Sequence, residues 1–277
     1  MTVVSDAQHI NLVDGHVHIY DCFDLPRFLE AAYNNFKEQA RLCCGGDGFI
    51  GVLLLSERTS ENYFQALTRY AASNRSITSA GGKQWFVQAT GEPCSLLVAN
   101  ESGKQLVLIA GRQLVTREKI EVLALITEQV FSDGISITAL IDEIKRSGAI
   151  AVIPWGVGKW IGGRGGLVGS LLTEENRGKL FLGDNGGRPS FWPSPAHFAK
   201  AGQLGIHILP GTDPLPLKTE GDRCGSYGFA VRGLLSQDYP GRDLGCLLGK
   251  DSVLIESYGE LESPGRFIRN QLLLRLA

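Results

Sequence analysis

The chain has 277 residues, 27 basic against 29 acidic, a net charge of -2, and a composition that is 43% hydrophobic and 20% charged. That balance suits a globular protein with a sizeable core and excludes the basic footprint of a general nucleic-acid binder. No apolar run reaches the roughly 18 residues of a membrane span, and the first residues, Met1-Thr2-Val3-Val4-Ser5-Asp6, carry no signal-peptide pattern. Six cysteines, Cys22, Cys43, Cys44, Cys94, Cys224 and Cys246, include no Cys-x-x-Cys pair. Reduced thiols in a cytoplasmic protein are therefore expected.

The first predicted element is the run Asn11–Tyr20, a strand ending on His16 and His18. Residues i and i+2 of a strand share a face, so the two imidazoles point the same way, and Asp14 has the same parity. Asp24 and Pro26 then start a helix, with Phe28, Leu29, Ala32, Phe36 and Ala40 at helical spacing. Phe49–Leu55 is a continuous apolar run, as expected of a buried parallel strand. Ser60 caps a predicted helix over Glu61–Ala72.

Residues 76–115 break this rhythm. Short strands at 85–87, 95–98 and 105–109, separated by turn sequences, predict a β-rich elaboration. Alternation then resumes: a strand at 119–126, a helix at 137–147, strands at 149–154 and 180–183, a helix from Pro195, a strand at 205–210 and a final helix over 264–276. Repeated strand–helix units predict one α/β domain over residues 1–277. Its expected form is a distorted (β/α)7-8 TIM-like barrel carrying the 76–115 insertion.

In a barrel the site forms where strands end. Those positions hold His16 and His18, then Glu121, the loop Trp155–Gly166 with Lys159 and Arg164, then Asp184, Asn185 and Arg188, and finally Asp213. Two histidines with carboxylates at successive strand ends predict a divalent-metal set of His16, His18, Glu121, Asp184 and Asp213. Asp184-Asn185 before two glycines also reads as an ordinary turn. Lys159 and Arg164 lie among glycines whose N–H groups can approach an anion, in a sequence that is not a Walker A loop. With Arg188 and Asn185 they predict binding of a small anionic substrate.

Asp14-Gly15-His16-Val17-His18 resembles the first motif of the polymerase-and-histidinol-phosphatase (PHP) domains and of the amidohydrolases. Glu121 falls where the PHP family has a metal-bridging Glu, and Gly211-Thr212-Asp213 resembles its closing Gly-Ser-Asp-Ala-His. Pro154-Trp155 stands where that family has His-Pro, and Pro214-Leu215 replaces the final Ala-His. The resemblance implies a metal-dependent hydrolase, a phosphoesterase first, using Zn, Mn or Fe. Asp213, Glu121 and Lys159 would carry the catalytic roles. The amidohydrolase mapping implies C–N hydrolysis with Lys159, His207 and Asp213. The missing ligands imply a further alternative, a metal-free binding or assembly module.

Overall fold

A computed structural model describes residues 9–44, 46, 48–79 and 81–276. In chain order it contains β1 (Ile10–Val17), α1 (Leu25–Cys44), β2 (Ile50–Leu55), α2 (Tyr63–Ala72), β3 (Ser76–Thr78), β4 (Gln84–Ala89), β5 (Ser95–Asn100), β6 (Gln105–Ile109), β7 (Gly111–Val115), β8 (Glu121–Leu125), α3 (Ile137–Arg146) and β9 (Ile150–Pro154). There follow α4 (Gly163–Leu171), β10 (Leu180–Asn185), α5 (Ala196–Gln203), β11 (Ile208–Gly211), β12 (Gly228–Arg232), α6 (Pro240–Leu248), β13 (Ile255–Tyr258) and α7 (Pro264–Leu276).

The strands form two open sheets, ordered β13-β12-β1-β2-β6-β5-β4-β3 and β11-β10-β9-β8-β7. This corrects the expected TIM-like barrel. The free edge of β2 is taken by β6, in parallel register, so the elaboration extends the first sheet. Antiparallel pairs β1–β12 and β12–β13 continue that sheet the other way. The second sheet mixes antiparallel β7–β8 and β8–β9 with parallel β9–β10 and β10–β11. Between the sheets there is an isolated Glu57–Arg112 bridge and a hydrogen bond from the Asp213 N–H to the His16 carbonyl, 2.8 Å, but no ladder among the described residues.

The apolar runs are continuous because both faces of each sheet are covered. In β2, Val52 and Leu54 join the layer between the sheets, whereas Leu53 and Leu55 pack with Phe28, Phe36, Phe64 and Leu67 of α1 and α2. In β9, Val152 faces the shared layer, and Ala151 and Ile153 face Leu140, Ile144, Val168 and Phe198 of α3, α4 and α5. The result is a helix–sheet–sheet–helix stack with period-2 assignment of each strand residue. Each fully buried Leu or Phe stabilises it by about 1.5–3 kcal/mol relative to exposure.

Asp24 caps α1 as expected, accepting from the Arg27 N–H at 2.9 Å. The second helix starts at Tyr63 with Asn62 at its N-cap, two residues later than predicted. That delay leaves Glu61 in the loop. The helix α4 begins inside the predicted glycine loop and runs past its end; Val168 anchors it in the core, and a Cβ on Gly165 would meet the Trp160 carbonyl at 2.4 Å. Packing overrides poor helix propensity there. Among the described residues no helix is long and apolar enough to cross a membrane.

Candidate metal centre

The centre forms where β1 leaves its sheet. Pairing with β2 shifts register between Asp14 and Val17, so that three steps along β1 match two along β2. This irregularity re-aims the end of the strand. Glycines let the next strand come close: a Cβ on Gly211 would lie 2.2 Å from the His16 nitrogen, and one on Gly15 would lie 2.7 Å from the Pro210 carbonyl. Asp213 follows with φ of 43°, a left-handed conformation that Asp tolerates better than most residues. Replacing Gly211 by Ala is expected to push β11 off the histidine strand and lower metal affinity by at least tenfold, measured by competition with a chelating dye.

His16, His18 and Asp213 converge, with one ligand atom from each inside a 4.8 Å group. The two Nε2 atoms are 3.1 Å apart. Asp213 Oδ1 lies 3.6 Å from each of them. Gln113, on β7, adds its Oε1 at 2.9 Å from His16 Nε2 and 3.1 Å from His18 Nε2. A tetrahedral ion with bonds of about 2.0–2.1 Å requires ligand–ligand edges of about 3.3–3.4 Å. The spacings among His16, His18 and Asp213 bracket that value, with Gln113 Oε1 close to both rings, so the cluster is of a size that could hold a small divalent cation.

The protonation pattern agrees. Burial holds the His16 ring below the usual histidine range; Asp213 opposes the shift and His18 adds to it. Burial would raise the Asp213 carboxyl, but His16, His18, Lys159 and Asn185 outweigh it and keep the group below its usual value. His18 Nδ1 faces Glu61 Oε2 at 3.4 Å. A carboxylate only accepts, so Nδ1 carries the proton and Nε2 turns its lone pair to the centre.

Burial favours a neutral Glu61, yet hydrogen bonds from His18, the Arg58 N–H and the Arg58 guanidinium bring it down to about 2. Tyr20 stacks on His18, with ring centroids 5.6 Å apart, and the Arg58 guanidinium lies over the Tyr20 ring. Glu61→Gln keeps the shape but weakens this orientation. It is expected to lower metal affinity by about 10–100-fold, read by equilibrium dialysis.

The other expected residues have different places. Glu121 lies outside the group of three. It begins β8 rather than following it, and the antiparallel run of β8 brings it to the edge where β9 ends. There it pairs with Lys159. Asp184 is not with the histidines. Both its oxygens accept from buried Arg188, at 2.8 and 2.7 Å, and Tyr227 donates to it at 2.7 Å. Asp184 and Arg188 thus neutralise each other inside the protein. Arg164 donates to the carbonyls of Gly158 and Lys119. Asn185 donates to Asp213 and fixes its second oxygen. His207 precedes β11 and Asp213 follows it, so they lie at opposite ends of that strand.

Asp14 turns away despite its parity. It accepts from the Thr212 N–H and hydroxyl, at 2.8 and 2.6 Å, and from the Gly225 N–H at 2.9 Å. Burial outweighs these donors and raises its pKa to about 6. A raised folded pKa stabilises below the unfolded value and loses that contribution as pH rises through about 6. Wild-type protein should therefore lose about 2 kcal/mol between pH 4 and 6 relative to Asp14→Asn, in urea melts across that window.

A cavity of about 370 Å³ opens beside Asp213, lined by Lys159 and Asn185 on one side and by α7 on the other. Gln113 and Glu61 were not foreseen from the sequence. Gln113 lies in the region read as elaboration and carries no motif. Glu61 lies in the loop after β2, and the strand-end rule applied there would have found it.

No family model matches the chain, and no curated protein matches it. One similar solved structure is PsfC from Pseudomonas syringae PB-5123, at 14% identity with a TM-score of 0.53, covering 97% of this chain and 99% of that one. At that identity the likeness shows a shared fold and nothing of function.

Proposed function

We propose that the protein is a divalent-metal-dependent hydrolase acting on a small anionic substrate, with phosphoesters ahead of amides. The observation that carries this is the convergence of His16 Nε2, His18 Nε2, Asp213 Oδ1 and Gln113 Oε1 at the edge of a cavity. A bound ion would supply Lewis acidity and, with its coordination expanded beyond the four protein atoms to take a water, would lower the pKa of that water. His16 and His18 serve as neutral ligands, Glu61 orients His18, and Asn185 holds Asp213 in place. Lys159, on the cavity wall, attracts the anionic group and stabilises charge developing on it. That cation is the reason for ranking phosphoryl transfer first. A cytoplasmic setting is part of the proposal, in keeping with free, exposed thiols at Cys22, Cys43 and Cys246.

Elemental analysis of protein purified without added metal, followed by a phosphatase and amidase screen with Mn²⁺ or Zn²⁺, tests it. About one ion per chain and metal-dependent turnover are expected. Protein that stays metal-free after incubation with both ions would sink the hydrolase reading and leave a binding module.

A further inference from the structure

The cavity beside Asp213 has two chemically distinct walls. Its polar wall carries Lys159 and Asn185 next to Asp213; its apolar wall is built from Trp155, Val157, Phe267 and Leu274. Two of those four apolar residues come from α7, so the C-terminal helix closes the cavity. Asn270 of the same helix also lines it. That side chain is 2% exposed, donates to Glu220 at 3.1 Å, and leaves Oδ1 without a partner. A buried acceptor left unpaired is costly, so the wall offers a bond to any donor that enters.

Val157 is 47% exposed although it faces the cavity. The apolar wall therefore continues to the mouth. A volume of about 370 Å³ lies in the range of small-molecule pockets. Charge gives the orientation. Glu262, which also lines the cavity, is balanced with Glu220 by Arg223 and Arg266; beyond that network, Lys159 against Glu121 and Asp213 leaves one negative charge around the polar wall, and a divalent ion between the histidines reverses it to one positive charge.

We propose that this cavity selects amphipathic small molecules that present an oxyanion to Lys159 and a ring-sized apolar group to Trp155, Phe267 and Leu274. The inference rests on the metal reading for the charge at its polar wall, and it makes α7 the element that sets specificity.

Calorimetric titration of the full chain, loaded with Zn²⁺ or Mn²⁺, tests it with phenylphosphonate against methylphosphonate. Five extra carbon atoms at ordinary ligand efficiency predict about tenfold tighter binding of the phenyl compound. Lys159→Ala should weaken both compounds alike. The Phe267→Ala/Leu274→Ala double variant should bring the two affinities together while leaving methylphosphonate unchanged. Val157→Ser, neutral and on an exposed loop outside α7, gives the same readout if the double variant loses its helix. Benzoate against acetate, again five carbon atoms apart, separates the sources of the oxyanion: a larger phenyl preference in that pair assigns carboxylates, a smaller one phosphoryl compounds. Equal affinity for phenyl- and methylphosphonate, or a preference untouched by Val157→Ser, overturns the inference. Phenyl preference without turnover of phenyl phosphate keeps it and removes the phosphoesterase reading; turnover without preference does the reverse.

Discussion

Protein carrying His16→Ala or His18→Ala is expected to lose roughly a hundred- to a thousandfold in metal affinity, and the double variant to retain neither metal nor turnover. A four-ligand protein site binds zinc with about 10–16 kcal/mol, so one ligand accounts for about 3 kcal/mol of it. Both rings are buried, at 4% and 2% exposure, and their Nε2 atoms oppose each other at 3.1 Å. Without an ion, a proton on His16 Nε2 can reach His18 Nε2 or Gln113 Oε1, while His18 Nε2, its proton on Nδ1, faces Gln113 Oε1 and Asp213 Oδ1 lone pair to lone pair. Removing one ring from the metal-free protein therefore costs little beyond a small cavity, and the variants should keep their far-UV circular dichroism. Dialysis against Zn²⁺ or Mn²⁺ followed by elemental analysis reads the loss. Wild-type metal content in the double variant would place the ion elsewhere and end the reading of this cluster as a metal centre.

Glu220→Ala is expected to be the most damaging single change to stability outside the packed core, by about 3–5 kcal/mol. Glu220 is fully buried in a 3-10 turn at Glu220–Arg223, where Arg223 donates to it at 3.0 Å, Arg266 at 2.9 Å and Asn270 at 3.1 Å. Glu262 takes the other share of Arg223, whose second amino group donates to the Gly186 carbonyl. This network fastens α7 to the loops after β10 and β11. Truncating Glu220 leaves Arg223 buried with one carboxylate and Asn270 without its acceptor, so the melting temperature should fall by about 10 °C. Burial alone would raise the Glu220 pKa, but Arg223 and Arg266 hold it below the usual value. Its contribution is therefore complete above about pH 4.5 and is lost as pH falls through the lower folded value. Thermal melts from pH 7 to pH 3 should show wild type approaching the variant only at the acid end. A constant gap across that range would show that the charge of Glu220 does not matter. Because α7 also walls the cavity, the variant should bind phenylphosphonate more weakly at neutral pH.

The sequence by itself determined most of the elements and singled out three residues, His16, His18 and Asp213, that the fold brings together. Period-2 and continuous apolar runs mark strands whatever they pair with, and His16, His18 and Asp213 stand out as chemical types beside strand ends. Six elements, β3, β7, α4, β12, α6 and β13, passed unrecognised, because glycine-rich or short polar segments such as Gly163–Leu171 take their structure from neighbours rather than from propensity. Only the tertiary structure decided how the strands join. A buried run such as Val52–Leu55 records that both its faces are covered, but not which edge partner it has, and β6 took the place a barrel strand would have held. The same limit governed the site. Asp14 shares parity with the histidines in any unbroken strand; a one-residue shift in pairing turned it toward Thr212 and Gly225. Gln113 and Glu61 reached the rings through contacts spanning 97 and 43 positions. Asp184 and Arg188 found each other and left the centre. Backbone pattern is local and therefore legible in the chain, whereas pairing, register and charge compensation are long-range choices among partners that the chain order does not rank.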